Sequence, residues 1–284
     1  MGRPYAEVIG DPIAHSKSPA IHNFWLGKLG IDAEYRACHV RPDELEFYFT
    51  QRRGDAEWRG CNVTMPHKEA VHALVNWIDK DVLRIGAANT IVHGRDGRLT
   101  AYNTDGRGFL EPLLPLLGDQ AYRFAYLIGT GGAARAIIAA LYDEQFLIFS
   151  ISRDRNKAKQ EFLAAYLGGD EDFLLELKDL HAGDMRPTDP EVLSVWINAT
   201  PLGMTGHPPL QMVWGPVFGN SIIYDIVTSP VETPLLHEAK SRGLRTIDGF
   251  AMLIGQAAVA FEKFFGQPAP REHDAELRAL LTAP

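Results

Sequence analysis

Three short polar motifs carry residues able to bind anions or move protons. In Ser16-Lys17-Ser18-Pro19 two hydroxyls stand two residues apart at an expected helix start. Hydroxyl and backbone N–H donation there can hold a carboxylate without any arginine. Capping by Ser18 alone is the plainer use of the same residues. Asn62-Val63-Thr64-Met65-Pro66-His67-Lys68 reads as a strand entering a Pro-led turn, and Ala88-Asn89-Thr90 is answered by Asn103-Thr104-Asp105-Gly106. Lys68 can transfer a proton at a reacting hydroxyl or carbonyl, with a neighbouring Asp105 orienting its ammonium. Taken singly, both are also ordinary surface residues. His67 is read as a neighbour and not the base, and His15 receives no role.

A fourth motif is a glycine turn. Gly129-Thr130-Gly131-Gly132-Ala133-Ala134 fits G-x-G-x-x-A between a buried strand and a helix. Its first glycine makes the tight turn, its second admits a pyrophosphate, and the small residue at the end lets helix pack on strand. A turn between packed elements with no ligand is the alternative. After the next strand come Ser152-Arg153-Asp154-Arg155-Asn156-Lys157. Arg153, Arg155 and Lys157 suit a 2′-phosphate and hence NADP. Asp154 points toward the 2′-hydroxyl of NAD, because a carboxylate repels a phosphate.

These residues need elements to hold them. Tyr5–Gly10, Glu34–Val40 and GCNVT read as strands, and Arg95-Asp96-Gly97 as a hairpin turn between ANTIVHG and LTAYN. A helix with Ser18 as N-cap and Pro19 at its first position carries Ile21, Phe24, Trp25 and Leu29 on its apolar face. From Gly106 onward the pattern changes. RFAYLIG, FLIFSIS, VWINAT and IIYDIV are apolar runs of the kind buried on both faces of a parallel sheet. They alternate with GTGGAARAIIAALY and NKAKQEFLAAYL, as in a doubly wound α/β unit. The expected fold class is therefore α/β, an N-terminal α/β domain plus a Rossmann-type domain. The expected bounds are 1–105, completed by C-terminal helices over 250–284, and 106–249. The stretch around Gly168–Pro190 has no clear assignment.

With 284 residues, 46% of them hydrophobic and 23% charged, the chain can build an ordinary core. A net charge of −8 argues against nucleic acid or an anionic membrane as the main partner. Cys38 and Cys61 lack metal-ligand or CxxC spacing, so two buried thiols and no metal site are expected. No signal-peptide h-region, spanning apolar run or lipidation motif is seen, which makes the cytoplasm the expected compartment.

Taken together, SKSP, NVTMPHK, AANT, NTDG, GTGGAA, NATPLGM, YDIV and DGFAMLIGQAA stand in the order and spacing of the shikimate dehydrogenase family, which the chain resembles from Val8 to Phe265. The resemblance implies a substrate-binding first domain, an NADP-binding second one, and reversible reduction of 3-dehydroshikimate to shikimate in aromatic amino-acid biosynthesis. It implies that Ser16 and Ser18 hold the substrate carboxylate and that Thr64, Asn89 and Gln256 bind ring hydroxyls. By the same resemblance Lys68 and Asp105 are expected to form the acid/base pair, and the residues that follow to line the cofactor. Gly129, Thr130, Gly131, Gly132 and Ala133 take the pyrophosphate, and Ser152, Arg153 and Lys157 the adenosine phosphate. Ile226 and Gly249 lie beside the nicotinamide, with Thr200 on the nearby NAT loop. Thr228 stands near the substrate where the family usually has Tyr, and Ser152 replaces a usual Asn. These departures, with Asp154, leave a quinate/shikimate dehydrogenase using NAD or both cofactors as the near alternative. A non-catalytic dinucleotide sensor is the remote one. Monomer and homodimer both remain open.

Overall fold

The structure is a computed structural model that describes residues 2–118, 122–153, 174–177, 192–212, 214 and 220–283. The helix expected over Asn156–Leu167, with Asp154, Arg155 and Lys157, lies outside the described residues. The chain divides into two compact units, Met1–Asp105 with Ile254–Pro284, and Gly106–Leu253. One division falls at the start of the helix Asp105–Leu113, the other one turn into the helix Gly249–Phe265.

The first unit is built on strands β1 (Tyr5–Gly10), β2 (Glu34–His39), β3 (Trp58–Val63), β4 (Trp77–Ile78), β5 (Thr90–His93) and β6 (Leu99–Tyr102), ordered β2-β1-β3-β5-β6-β4. β1 pairs parallel with β2 and β3, whereas β5 runs antiparallel to both β3 and β6. The short β4 was absent from the sequence pattern, and two residues are too few to show a period of two. The hairpin turn is as expected, with Gly97 at φ +77°. One face of the sheet packs Tyr48, Phe49, Trp58, Val71 and Ile91. Within this face Glu7 is 1% exposed, yet its carboxylate accepts from Tyr48 Oη at 2.7 Å, Arg52 Nε at 2.7 Å and Arg36 Nε at 3.2 Å. A buried charge persists only when paired and hydrogen-bonded in this way.

The helix Ser18–Leu29 corrects two expectations. Lys17, and not Ser18, occupies the N-cap position, and Ser18 begins the helix with its N–H donated to Ser16 Oγ at 3.3 Å. Pro19 thus sits one position deeper, still in the first turn, where its missing N–H costs nothing. The buried face runs through Ser18, Ile21, His22, Trp25 and Leu26, and Leu29 in the last turn is exposed. Of the two thiols, Cys61 is buried and Cys38 only half-buried, because β2 is an edge strand.

The second unit holds β7 (Arg123–Ile128), β8 (Leu147–Ser152), β9 (Leu174–Glu176), β10 (Leu193–Asn198), β11 (Ser221–Asp225) and β12 (Arg245–Ile247), ordered β12-β11-β10-β7-β8-β9. Every pairing is parallel. Counted within the unit this is the 3-2-1-4-5-6 order, whose switch point lies between its first and fourth strands, β7 and β10. β10 and β11 are buried along their whole length, the reason that their sequences are apolar without alternation. Tyr126 and Trp196 stack on one face with centroids 4.1 Å apart.

Candidate active site and dinucleotide cradle

Strand direction assembles the polar motifs of the first unit. β1, β3 and β6 point one way and β5 the other, so the loops after β1, β3 and β6 and the residues before β5 share one sheet edge. Backbone bonds sew these loops together. Thr64 N donates to Ile9 O (3.0 Å), Asp11 N to Met65 O (3.0 Å), Ala88 N to Lys68 O (2.8 Å) and Asn89 N to Tyr102 O (3.1 Å). Gly10 is required here, since a Cβ would lie 2.5 Å from Thr64 Cγ2.

At this edge Lys68 Nζ donates to Asp105 Oδ2 at 2.6 Å. The side chains are 19% and 8% exposed, so the pair is partly desolvated but still reachable. Asn89 Nδ2 donates to the other carboxylate oxygen, Oδ1, at 2.8 Å, and to Thr104 Oγ1 at 2.9 Å. Asn89 Oδ1 accepts from Thr104 N at 2.8 Å and Thr90 Oγ1 at 2.8 Å. The Asn89 amide thereby orients Asp105. Asp105 N donates to Asn103 Oδ1 at 3.0 Å, which fixes the helix start that bears the carboxylate. Gln256, from the helix Gly249–Phe265, brings Oε1 within 3.4 Å of Thr104 Oγ1 and 3.5 Å of Asn89 Nδ2. Half-buried Thr64 and Ser16 lie in the loops of the same edge, and buried Ser18 begins the helix that follows the β1 loop. His67 is buried and donates Nε2–H to Val40 O at 2.7 Å, a structural bond. Thr104, Thr90 and Asn62 received no role from sequence. Their one signal was polarity within strands and turns that are otherwise apolar.

The second unit presents a cradle at the switch point. Gly129 adopts φ +118°, and a Cβ there would lie 2.8 Å from Ala199 O. Only glycine fits this approach of the β7 turn to the β10 turn. Gly129 N donates to Ile151 O at 2.9 Å, which sets Ser152 and exposed Arg153 beside the turn. At Gly131 a Cβ would meet nothing within 4 Å, and the helix Gly132–Asp143 starts with no side-chain cap and no acidic residue in its first turn. An open backbone in front of an uncapped helix start fits a dinucleotide pyrophosphate. Thr130 and Ala133 flank this opening, both half-buried.

Asp225 ties the remaining candidates together. Fully buried at the end of β11, it accepts from Asn198 Nδ2 (3.0 Å), Val227 N (3.1 Å) and Thr233 Oγ1 (2.7 Å). Burial pushes its carboxyl up to about 6, against these three hydrogen bonds, which pull it down. Asn198 Oδ1 in turn accepts from Thr200 N (3.1 Å) and Thr200 Oγ1 (2.7 Å), and Ile226 N donates to Asn198 O (3.1 Å). A Cβ on Gly249 would overlap Val227 O and Ile226 O, so glycine permits that helix start to pack on this loop. Thr200, Ile226 and Gly249 therefore converge, with half-buried Thr228 two residues beyond Ile226. Lys157 lies outside the described residues.

Comparison with known proteins shows the family of the chain. The family description "Shikimate dehydrogenase substrate binding domain" matches residues 8–91, and "Shikimate 5'-dehydrogenase C-terminal domain" matches residues 249–276. A "Shikimate dehydrogenase (NADP(+))" of Sphingopyxis alaskensis is 48% identical over 284 residues, covering 99% of this chain and 97% of the relative. The chain belongs to the shikimate dehydrogenase family. The family's two-domain α/β fold is found again in the shikimate 5-dehydrogenase of Thermus thermophilus, solved in complex with NADP(H) and shikimate. It has a TM-score of 0.76 and 30% identity, and the match covers 98% of this chain and 99% of that one. The same fold serves a 5-ketofructose reductase of Gluconobacter sp. strain CHM43, with a TM-score of 0.82, 26% identity and 99% of both chains covered. Among the described residues no helix is long and apolar enough to cross a membrane, and no three His, Cys, Asp or Glu side chains group as metal ligands.

Proposed function

We propose that this member of the shikimate dehydrogenase family is an oxidoreductase that interconverts 3-dehydroshikimate and shikimate with NADP. The observation that carries the reading is the Lys68–Asp105 pair, with one carboxylate oxygen on the ammonium and the other on Asn89. Substrate and cofactor are those named for its relatives. When bound, the dinucleotide supplies hydride donation and acceptance. Lys68 gives the proton to the substrate oxygen as the carbonyl becomes a hydroxyl, and takes it back in the reverse direction. Asp105 keeps the ammonium aimed at that oxygen. Ser16, Ser18 and the helix start Ser18–Leu29 hold the carboxylate, and Thr64, Asn89 and Gln256 take ring hydroxyls. Gly129 to Ala133 hold the pyrophosphate, Ser152 and Arg153 the adenosine phosphate, and Thr200, Ile226 and Gly249 the nicotinamide side. Neither nucleic acid nor a membrane enters this reaction, and the cytoplasm suits it.

Thr228 favours a second reading. Threonine where the family usually has tyrosine suits quinate as substrate, and Ser152 with Asp154 suits relaxed cofactor use. A steady-state assay decides between them: shikimate, quinate and 5-ketofructose with NADP(H) or NAD(H), in the direction each substrate allows, followed by reduced-cofactor absorbance. A large preference for shikimate with NADP is expected. Equal or better turnover of quinate, or with NAD, supports the second reading, and no turnover of either acid defeats both.

A further inference from the structure

The Asp105 carboxylate is the end of a longer chain of donors. Tyr35, on β2, donates its hydroxyl to Asn62 Oδ1 at 2.6 Å. Asn62, on β3, donates Nδ2 to Thr90 Oγ1 at 2.9 Å and to Asn89 O at 3.2 Å. Thr90, on β5, donates to Asn89 Oδ1 at 2.8 Å, and Asn89 Nδ2 donates to Asp105 Oδ1 at 2.8 Å. We propose that Tyr35, Asn62 and Thr90 are positioning residues for the reaction, a one-way hydrogen-bond chain that holds Asp105, through Asn89, in register with Lys68. The inference rests on the reading of Lys68 and Asp105 as the acid/base pair.

Groups of fixed character set the direction of the chain at both ends. Thr104 N can only donate, and it meets Asn89 Oδ1 at 2.8 Å; the carboxylate can only accept, so Nδ2 must face it. Asn89 O can only accept, so the amide atom of Asn62 beside it is Nδ2. Asn62 Oδ1 is left facing Tyr35, whose hydroxyl must donate. Thr90 has one proton, which goes to Asn89 Oδ1 while its lone pair receives Asn62.

The surroundings keep the chain dry. Tyr35 is 1% exposed, Asn62 7%, Thr90 0% and Asn89 3%. In such a medium each bond polarises the next, and a broken link leaves a buried polar atom unpaired. The Tyr35 ring is itself held flat on His22, with centroids 4.0 Å apart and planes 5° apart. The Lys68 ammonium donates to Asp105, and the three side chains reach it through Asn89 and Asp105.

The test uses full-length Tyr35→Phe, Thr90→Val and Thr90→Ser. Thr90→Val is expected to lower kcat about ten-fold and Tyr35→Phe about three-fold, with KM for shikimate and NADP within about two-fold of wild type. Thr90→Ser restores the hydroxyl, and kcat returns to within about two-fold of wild type. A readout independent of turnover is the 13C carboxyl resonance of Asp105, assigned by its loss in Asp105→Asn. It moves in Tyr35→Phe and Thr90→Val and stays in place in Thr90→Ser. An unmoved resonance, unchanged kcat, or a serine variant as impaired as the valine one overturns the inference. Should Thr90→Val not fold, Tyr35→Phe carries the same test. Failure of the functional reading is seen separately, as absent turnover by the wild type, and leaves the resonance to decide the chain.

Discussion

Lys68 Nζ and Asp105 Oδ2 lie 2.6 Å apart across a sheet edge, on residues 37 positions apart in sequence. The second oxygen of Asp105 is taken by Asn89, so the carboxylate cannot rotate away from the ammonium without breaking a buried bond. Lysine is the more exposed partner of the two.

Lys68→Ala removes the proposed proton carrier and leaves Ser16, Ser18, Thr64 and Gln256 in place. Positioned proton transfer contributes about 10²–10⁴-fold, so kcat should fall by that range while the dissociation constant of shikimate changes little. Steady-state kinetics with calorimetric binding measure both. A variant that keeps wild-type kcat removes Lys68 from the mechanism.

The two glycines of the cradle should separate binding from stability. Gly131 has an ordinary φ of −72° and open space around a Cβ, so Gly131→Ala should unfold at the wild-type temperature. Its methyl would stand in the path of the pyrophosphate at the proposed site, and NADPH affinity measured by fluorescence should fall at least about ten-fold. Gly129→Ala forces an alanine to φ +118° against Ala199 O and should cost about 1–3 kcal/mol in stability as well. Unaltered NADPH affinity in Gly131→Ala would move the pyrophosphate elsewhere.

His22 is 0% exposed with both ring nitrogens unpartnered, and burial lowers its pKa from 6.5 to about 3. The folded state therefore excludes a proton that the unfolded chain binds below pH 6.5. The neutral ring's contribution is complete above that pH and is lost progressively as pH falls toward 3, to the extent of roughly 4–5 kcal/mol. His22→Phe should flatten the acid side of the stability curve, read as guanidinium midpoints at pH 7, 6 and 5. The same slope in wild type and variant would assign acid sensitivity to other groups.

Asp225 has the opposite sign. Its folded value of about 6 lies above the unfolded 3.8, so the folded state binds the extra proton. The corresponding stability is fully present below 3.8 and is lost as pH rises through 6, amounting to roughly 3 kcal/mol. Asp225→Asn should abolish that dependence in the second unit while keeping an acceptor for Val227 N and Asn198 Nδ2. Hydrogen exchange of β10 and β11 amides between pH 4 and 7 follows it. An undiminished pH dependence in the variant contradicts the assignment.

Glycine turns, the hairpin turn and the apolar runs of β7, β8, β10 and β11 were readable from sequence because each depends on a few adjacent residues. The Gly129–Ala134 turn needs only its own φ values and its neighbouring strand and helix. Short-range detail was lost where one residue decides it, as with Lys17 and not Ser18 at the helix cap, or where end-of-helix geometry turns Leu29 to solvent.

By itself the sequence determined the residue types at the site, the α/β class and the family to which the chain belongs. Tertiary structure alone decided which polar residues meet. Asn89 lies next to Thr90 in the chain, 15 positions from Thr104, 27 from Asn62 and 167 from Gln256. The order β3-β5-β6 and one long C-terminal helix bring them within hydrogen-bond reach. A hydrogen bond acts over about 3 Å whatever the separation along the chain, and a network of such bonds leaves no periodic trace in the sequence that encodes it.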